Sequence, residues 1–122
     1  MKREEDGRVV PVSKEEVGRW NERIWKMCNK LAEVLSEKNI RYNNSVFSPL
    51  GIFSTLTPLE GAKIRLDDKL KRIIAMTAGM SDDKEDAVFD LMGYLVCYHV
   101  IKDAEEALEE YIDSAQQRQS PG

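Results

Sequence analysis

The stretch EDAVFDLMGYL, residues 85–95, decides the fold prediction. Projected at about 100° per residue, it forms the first part of a helix over about residues 84–101 that has apolar residues on nearly every side. Such a helix is typical of the centre of a bundle. It nevertheless carries Asp86 and Asp90 one turn apart on one stripe. Three explanations for this pair remain open: solvation, structural pairing and metal binding.

Length and composition limit the alternatives. The 122 residues fit one domain. The formal net charge of -4 does not favour binding to nucleic-acid phosphates. The two cysteines, Cys28 and Cys97, lack metal-site spacing and are predicted to be reduced, buried thiols. Since the sequence also lacks a membrane-length apolar run and a signal-peptide pattern, we expect a cytoplasmic protein.

Two further helices have clear starting signals. Ser13 and Glu16 form a capping box that begins a first helix, which is expected to end at about Lys38. The second helix begins at Thr57 and Pro58, residue types that suit the N-cap and the first helical position. It is expected to run to about Ala78, with Gly79 as its C-terminal cap. Trp20 of the first helix and His99 of the third are predicted to lie in the core.

The segment NIRYNNSVFSPLGIFSTL, residues 39–56, interrupts the helical pattern. It is rich in turn-forming asparagine, serine, proline and glycine. Its apolar side chains are too numerous for a freely solvated linker. An ordered loop packed on the helices is therefore predicted, in a position where function is often found.

These elements predict an all-α protein: a small helical bundle of three long helices plus a short C-terminal helix, with an ordered loop between the first two helices. Asp103 and Glu106 carry the signal for the short helix, although the third helix could equally continue through them. The predicted organisation is an N-terminal arm over residues 1–12, a single helical domain over 13–116 and a disordered tail over 117–122.

The aspartates of the second and third helices define a candidate metal site. Asp67 could face Asp86 and Asp90, and carboxylates from two facing helices suit Mg²⁺. The structural alternative is equally concrete. Asp86 would be a first-turn acid of its helix, Asp90 would pair with a lysine or arginine, and Asp67 and Asp68 would be solvated or paired along their own helix.

The region from Tyr42 to Leu95 resembles a family, the nucleotide modification associated domain type 1, which is frequent in phages and in bacterial genomes that carry them. The resemblance rests on "YNNSVFSPLGIFS", "RLDDKLKR" and "EDAVFDLMGYL" in this order. Asn43 stands where the family pattern leads us to expect glycine. That family is similar to the all-α MazG-like NTP pyrophosphohydrolases, which bind Mg²⁺ through paired acids; here the ExxE pair of that group is absent.

The resemblance implies a nucleotide-binding or nucleotide-processing protein. It implies Asp67, Asp68, Asp86 and Asp90 as candidate Mg²⁺ ligands, with Asp67 and Asp90 also as candidate catalytic residues. It implies Arg65, Lys69 and Arg72, spaced i, i+4 and i+7, as phosphate contacts.

Three functions remain open. The first is an Mg²⁺-dependent nucleoside triphosphate pyrophosphohydrolase. The second is a non-catalytic binder that sequesters a nucleotide or a cyclic nucleotide signal, with Tyr42 and Phe47 among the ligand contacts. The third is a helical oligomeric interaction module. In each case a homo-oligomer is expected, because strongly apolar helices in so short a chain leave surface to bury.

Overall fold

The computed structural model describes residues 2–3, 7, 9–80 and 86–119, and within them it has three long helices. The all-α class is therefore confirmed. Within the predicted arm, Lys2–Arg3 (β1) and Val9–Val10 (β2) form a short antiparallel pair of strands. The chain divides into two compact units, residues 1–38 and 39–122, and each is described by itself.

The first unit contains most of helix α1, Lys14–Arg41. The hydroxyl of Ser13 accepts a hydrogen bond from the backbone N–H of Glu16 at 3.2 Å, so the predicted capping signal is confirmed. The helix continues three residues beyond the predicted end at Lys38. Trp20, predicted to be a core residue, is instead 59% exposed, and the guanidinium of Arg23 lies 5.2 Å from its ring centroid.

Helix α2, Pro58–Thr77, has the predicted caps at both ends. The Thr57 hydroxyl accepts from the N–H of Glu60 at 3.2 Å, and Pro58 occupies the first turn, where its missing N–H leaves no hydrogen bond unmade. At the other end Gly79 has a φ of 71°, a left-handed conformation that glycine adopts without steric cost.

Helix α3, Ala87–Gln119, is longer than predicted at its C-terminus. The carboxylate of Asp86 accepts from the N–H of Phe89 at 2.9 Å, as an N-cap does. The sequence also offers Ser81, Asp82 and Asp83 as starting residues for this helix; they and the predicted start near Lys84 lie outside the described residues.

The predicted short C-terminal helix is not separate, because α3 runs without interruption through Asp103 to Gln119. Residues 102–116 contain no glycine or proline and are rich in alanine and glutamate, which propagate a helix readily. The helix thus passes the predicted start of the tail at residue 117. Residues 120–122 lie outside the described residues.

In the second unit, α2 and α3 pack along one seam. Its buried residues are mostly small: Ala62, Ala87, Gly93, Cys97 and Ile101. Small side chains allow two helices to approach closely. Gly93 is buried, and its lack of a side chain leaves room for the neighbouring helix.

The face of α3 opposite to this seam is exposed. Val88, Met92 and Leu95 are 54%, 38% and 43% exposed, and His99 is exposed as well. His99 was predicted to lie in the core; its ring instead makes an edge-to-face contact with Tyr98, 5.4 Å between centroids. Within the second unit, α3 is therefore covered on one side only. Among the described residues, no helix combines the length and the apolar character needed to cross a membrane.

Candidate functional site: an apolar cavity beside Arg65

The segment between α1 and α2 opens with a tight turn built on two asparagines. Asn43 and Asn44 have φ values of 52° and 60°, in the left-handed region that asparagine and glycine tolerate best. Asn43 therefore adopts a backbone conformation that glycine would also adopt without strain.

Hydrogen bonds hold this turn in place. The side-chain amide of Asn39 donates to the side-chain oxygen of Asn44 at 3.0 Å. The backbone carbonyl of Asn44 accepts from the N–H groups of Phe47 and Ser48 at 3.1 and 2.8 Å. The segment therefore has defined local structure, as the ordered-loop prediction requires.

The rest of the segment and the start of α2 enclose a cavity of about 390 Å³. This volume lies within the range of small-molecule sites. Most of the wall is apolar, and Arg65, on the second turn of α2, is the charged residue among those that line it. The main apolar residues of the wall are Val46, Leu50, Ile52, Phe53, Leu56 and Ile64.

The apolar wall is open to solvent, so the prediction that the loop packs on the helices is wrong for this part of the segment. Leu50, Ile52 and Phe53 are 86%, 70% and 103% exposed. Contiguous exposed apolar surface of this kind marks a site that a ligand or a partner covers. The backbone here is specific, because Gly51 has a φ of 76°, so another residue at this position would be strained.

The predicted phosphate contacts do not share one environment. Arg65 lines the cavity, and Arg72 is exposed on the same flank of α2 two turns later. Lys69 lies between them but reaches across the seam, where its Nζ lies 3.1 Å from Oδ2 of Asp90.

The two aromatic residues predicted to bind ligand lie outside the cavity wall. Tyr42 is 59% exposed, with the guanidinium of Arg41 5.8 Å from its ring centroid, and Phe47 is half-buried. Phe53 and Leu50, which sequence reasoning placed in the loop without a binding role, form the wall instead. The available signal was a group of large apolar residues directly after Pro49 in a turn-rich segment.

The four candidate metal ligands occupy different places. Asp90 is 18% exposed and paired with Lys69, whereas Asp86 is exposed and caps α3. Asp67 and Asp68 are exposed on α2, on faces turned about 140° and 120° from buried Ala62. Both positions point away from the seam that contains Asp90.

The described residues contain no group of three histidine, cysteine, aspartate or glutamate side chains arranged to hold a metal ion. Asp82, Asp83 and Glu85 are outside this statement. Within the described part of the chain, Asp67, Asp68, Asp86 and Asp90 do not lie together in one such group.

Comparison with protein-family models, with curated proteins and with solved structures gives no match. The resemblance to the nucleotide modification associated domain therefore remains an expectation from the sequence.

Proposed function

We propose that this chain is a nucleotide-binding protein that takes up its ligand in the cavity between the loop and α2. The observation that carries the proposal is that a mostly apolar wall, in which Arg65 is the charged residue, lines a volume of about 390 Å³. A nucleotide has the matching chemistry: a flat, largely apolar base and an anionic phosphate.

Each part of the ligand has a complementary partner. The exposed side chains of Leu50, Ile52 and Phe53 provide apolar surface for the base. The planar guanidinium of Arg65 can donate two parallel hydrogen bonds to a phosphate. Arg72, on the same flank of α2, extends the positive charge toward a second phosphate.

Sequestration without catalysis is the mechanism that the side-chain contacts favour. Asp90 is engaged by Lys69, and an oxygen of Asp86 is engaged by the N–H of Phe89. A metal ion would have to compete with both interactions. The Mg²⁺-dependent pyrophosphohydrolase remains the alternative that the family resemblance implies, and it is tested in the same experiment.

Calorimetric titration with nucleoside mono-, di- and triphosphates and cyclic dinucleotides, in EDTA and in Mg²⁺, tests the proposal. Chromatography of the recovered ligand then shows whether it is intact. We expect EDTA-insensitive binding and intact ligand. Cleaved ligand in Mg²⁺ would favour the hydrolase, and the absence of heat with every nucleotide would refute nucleotide binding.

Two variants of α2 locate the site. Arg65→Gln should weaken binding by about tenfold or more, because a charge-assisted hydrogen bond to phosphate contributes about 1.5–3 kcal/mol. Lys71→Gln is the matched control, since it removes one positive charge from an exposed position of α2 that does not line the cavity. Equal loss in both variants would indicate a general charge effect rather than a site at Arg65.

A further inference from the structure

The apolar seam of α3 continues beyond the part that α2 covers. Cys97 and Ile101 are buried against α2. At about 100° per residue, the same side of the helix continues with five residues that we call the distal stripe: Ala104, Leu108, Tyr111, Ile112 and Ala115. Leu108, Tyr111 and Ile112 are 59%, 66% and 45% exposed.

The distal stripe is exposed because α2 begins beside its near end. Lys69 of α2 pairs with Asp90, whereas Lys63, closer to the start of α2, lies near Tyr98 and Glu105. The two helices are therefore antiparallel. Since α2 begins at Pro58, the last four turns or so of α3 extend past it.

A second apolar surface lies on the opposite side of α3. We call Val88, Met92, Leu95 and His99 the outer stripe; it is turned roughly 180° from the seam and the distal stripe. The apolar stripe of α1 is formed by Val17, Trp20, Ile24 and Met27, which are 45–59% exposed. Each unit, taken by itself, therefore has an exposed apolar helix surface.

Charge indicates what covers the distal stripe. Glu105 and Glu109 border it, and Glu106 and Glu110 lie on the back of the same turns. Two distal stripes facing each other would bring these acids together. The apolar stripe of α1, in contrast, is bordered by a basic row at helical spacing: Arg19, Arg23, Lys26 and Lys30.

The basic row is accessible to a partner. Lys26 lies 3.5 Å from Glu22, but both side chains are largely exposed, and such surface pairs are weak. Arg23 extends over the face of exposed Trp20. α1 thus offers apolar and basic surface side by side, which is the complement of the apolar and acidic surface at the distal stripe.

We propose that the distal stripe of α3 is a dimer contact that receives α1 of a second copy of this chain. The contact is reciprocal, since each copy supplies one α1 and one distal stripe, as expected of a two-fold dimer. It rests on α1 and α3 alone and does not depend on nucleotide binding.

Charge reversal in two complementary variants tests the contact. Variant one carries Glu105→Lys and Glu109→Lys, and variant two carries Arg23→Glu and Lys26→Glu. Light scattering coupled to gel filtration should show a dimer for the wild type and at least about tenfold weaker dimerisation for each variant alone. A one-to-one mixture should restore a dimer, because both of its contacts then join opposite charges.

The mixing experiment distinguishes a contact between two copies of the chain from a contact within one chain. If α1 covered the distal stripe of its own chain, combining all four substitutions in one chain would restore thermal stability, whereas mixing two chains would restore nothing. That result, or a wild type that is monomeric at all concentrations, overturns the proposed contact. Glu106→Lys with Glu110→Lys, on the back of the helix, is the matched control and should leave dimerisation within about twofold of wild type.

Discussion

The side-chain amine of Lys69 lies 3.1 Å from Oδ2 of Asp90, which joins α2 to α3 in the middle of their seam. Their side chains are only 13% and 18% exposed. Of the three explanations for an acid at position 90, structural pairing is the one supported here, because Asp90 has a defined partner in Lys69. Because the amine of Lys69 contacts Asp90, it points away from the flank of α2 that carries Arg65 and Arg72.

The Lys69–Asp90 pair should be strongly coupled. Asp90→Leu is expected to lower the free energy of unfolding by about 1–3 kcal/mol, because it leaves the Lys69 charge in a poorly hydrated seam. Lys69→Met with Asp90→Leu should lose less than the sum of the two single changes, by about 1 kcal/mol or more. Urea unfolding of the four proteins of this cycle measures the coupling, and strict additivity would contradict it.

Asp86 should behave as a helix cap. Asp86→Ala is expected to cost about 1 kcal/mol, because the N–H of Phe89 loses its acceptor. Asp86→Ser should stay within a few tenths of a kcal/mol of wild type, since serine is also a good cap. Thermal unfolding compares the three proteins. A large loss of Mg²⁺ affinity in Asp86→Ser, at unchanged stability, would instead support Asp86 as a metal ligand.

Because Asn43 has a left-handed conformation, substitutions by glycine and by valine should affect stability differently. Asn43→Gly should be nearly neutral, whereas Asn43→Val should cost about 1–2 kcal/mol, because a β-branched side chain clashes with the backbone at a φ of 52°. Ser45→Val is the control, since Ser45 lies in the same turn outside the positive-φ region. Equal losses at positions 43 and 45 would contradict a backbone origin.

The two cysteines should differ in reactivity. Burial raises the pKa of the Cys97 thiol. Cys28 was also predicted to be buried, but it is exposed, because the apolar side of α1 on which it lies is open to solvent. An aromatic disulfide reagent at pH 8 should therefore modify one thiol quickly and the other only slowly, and Cys28→Ser should abolish the fast phase. Two fast phases in the folded protein would contradict the burial of Cys97.

The raised pKa of the Cys97 thiol also makes the free energy of unfolding depend on pH. Above the unfolded pKa of Cys97, the unfolded chain releases the thiol proton more readily than the folded chain. The free energy of unfolding should then fall as pH rises through the alkaline range, and this part of the dependence should disappear in Cys97→Ala.

The local sequence was sufficient to predict the helices and their caps. Thr57, Pro58 and Gly79 act through hydrogen bonds and backbone angles within a few residues, so the residue types alone indicate where α2 begins and ends. The same is true of Ser13 and Glu16 at the start of α1. The all-α class follows from helical periodicity, which is also a local property.

Only the tertiary structure decided which faces of those helices are covered. Periodicity made α3 apolar on several sides, but it could not indicate that α2 covers Cys97 and Ile101 while Met92 and Leu95 stay exposed. Nor could it select Lys69 as the partner of Asp90, because that pair joins residues 21 positions apart. Burial and charge pairing depend on how the helices pack, and this is why the sequence left the role of the EDAVFDLMGYL acids open.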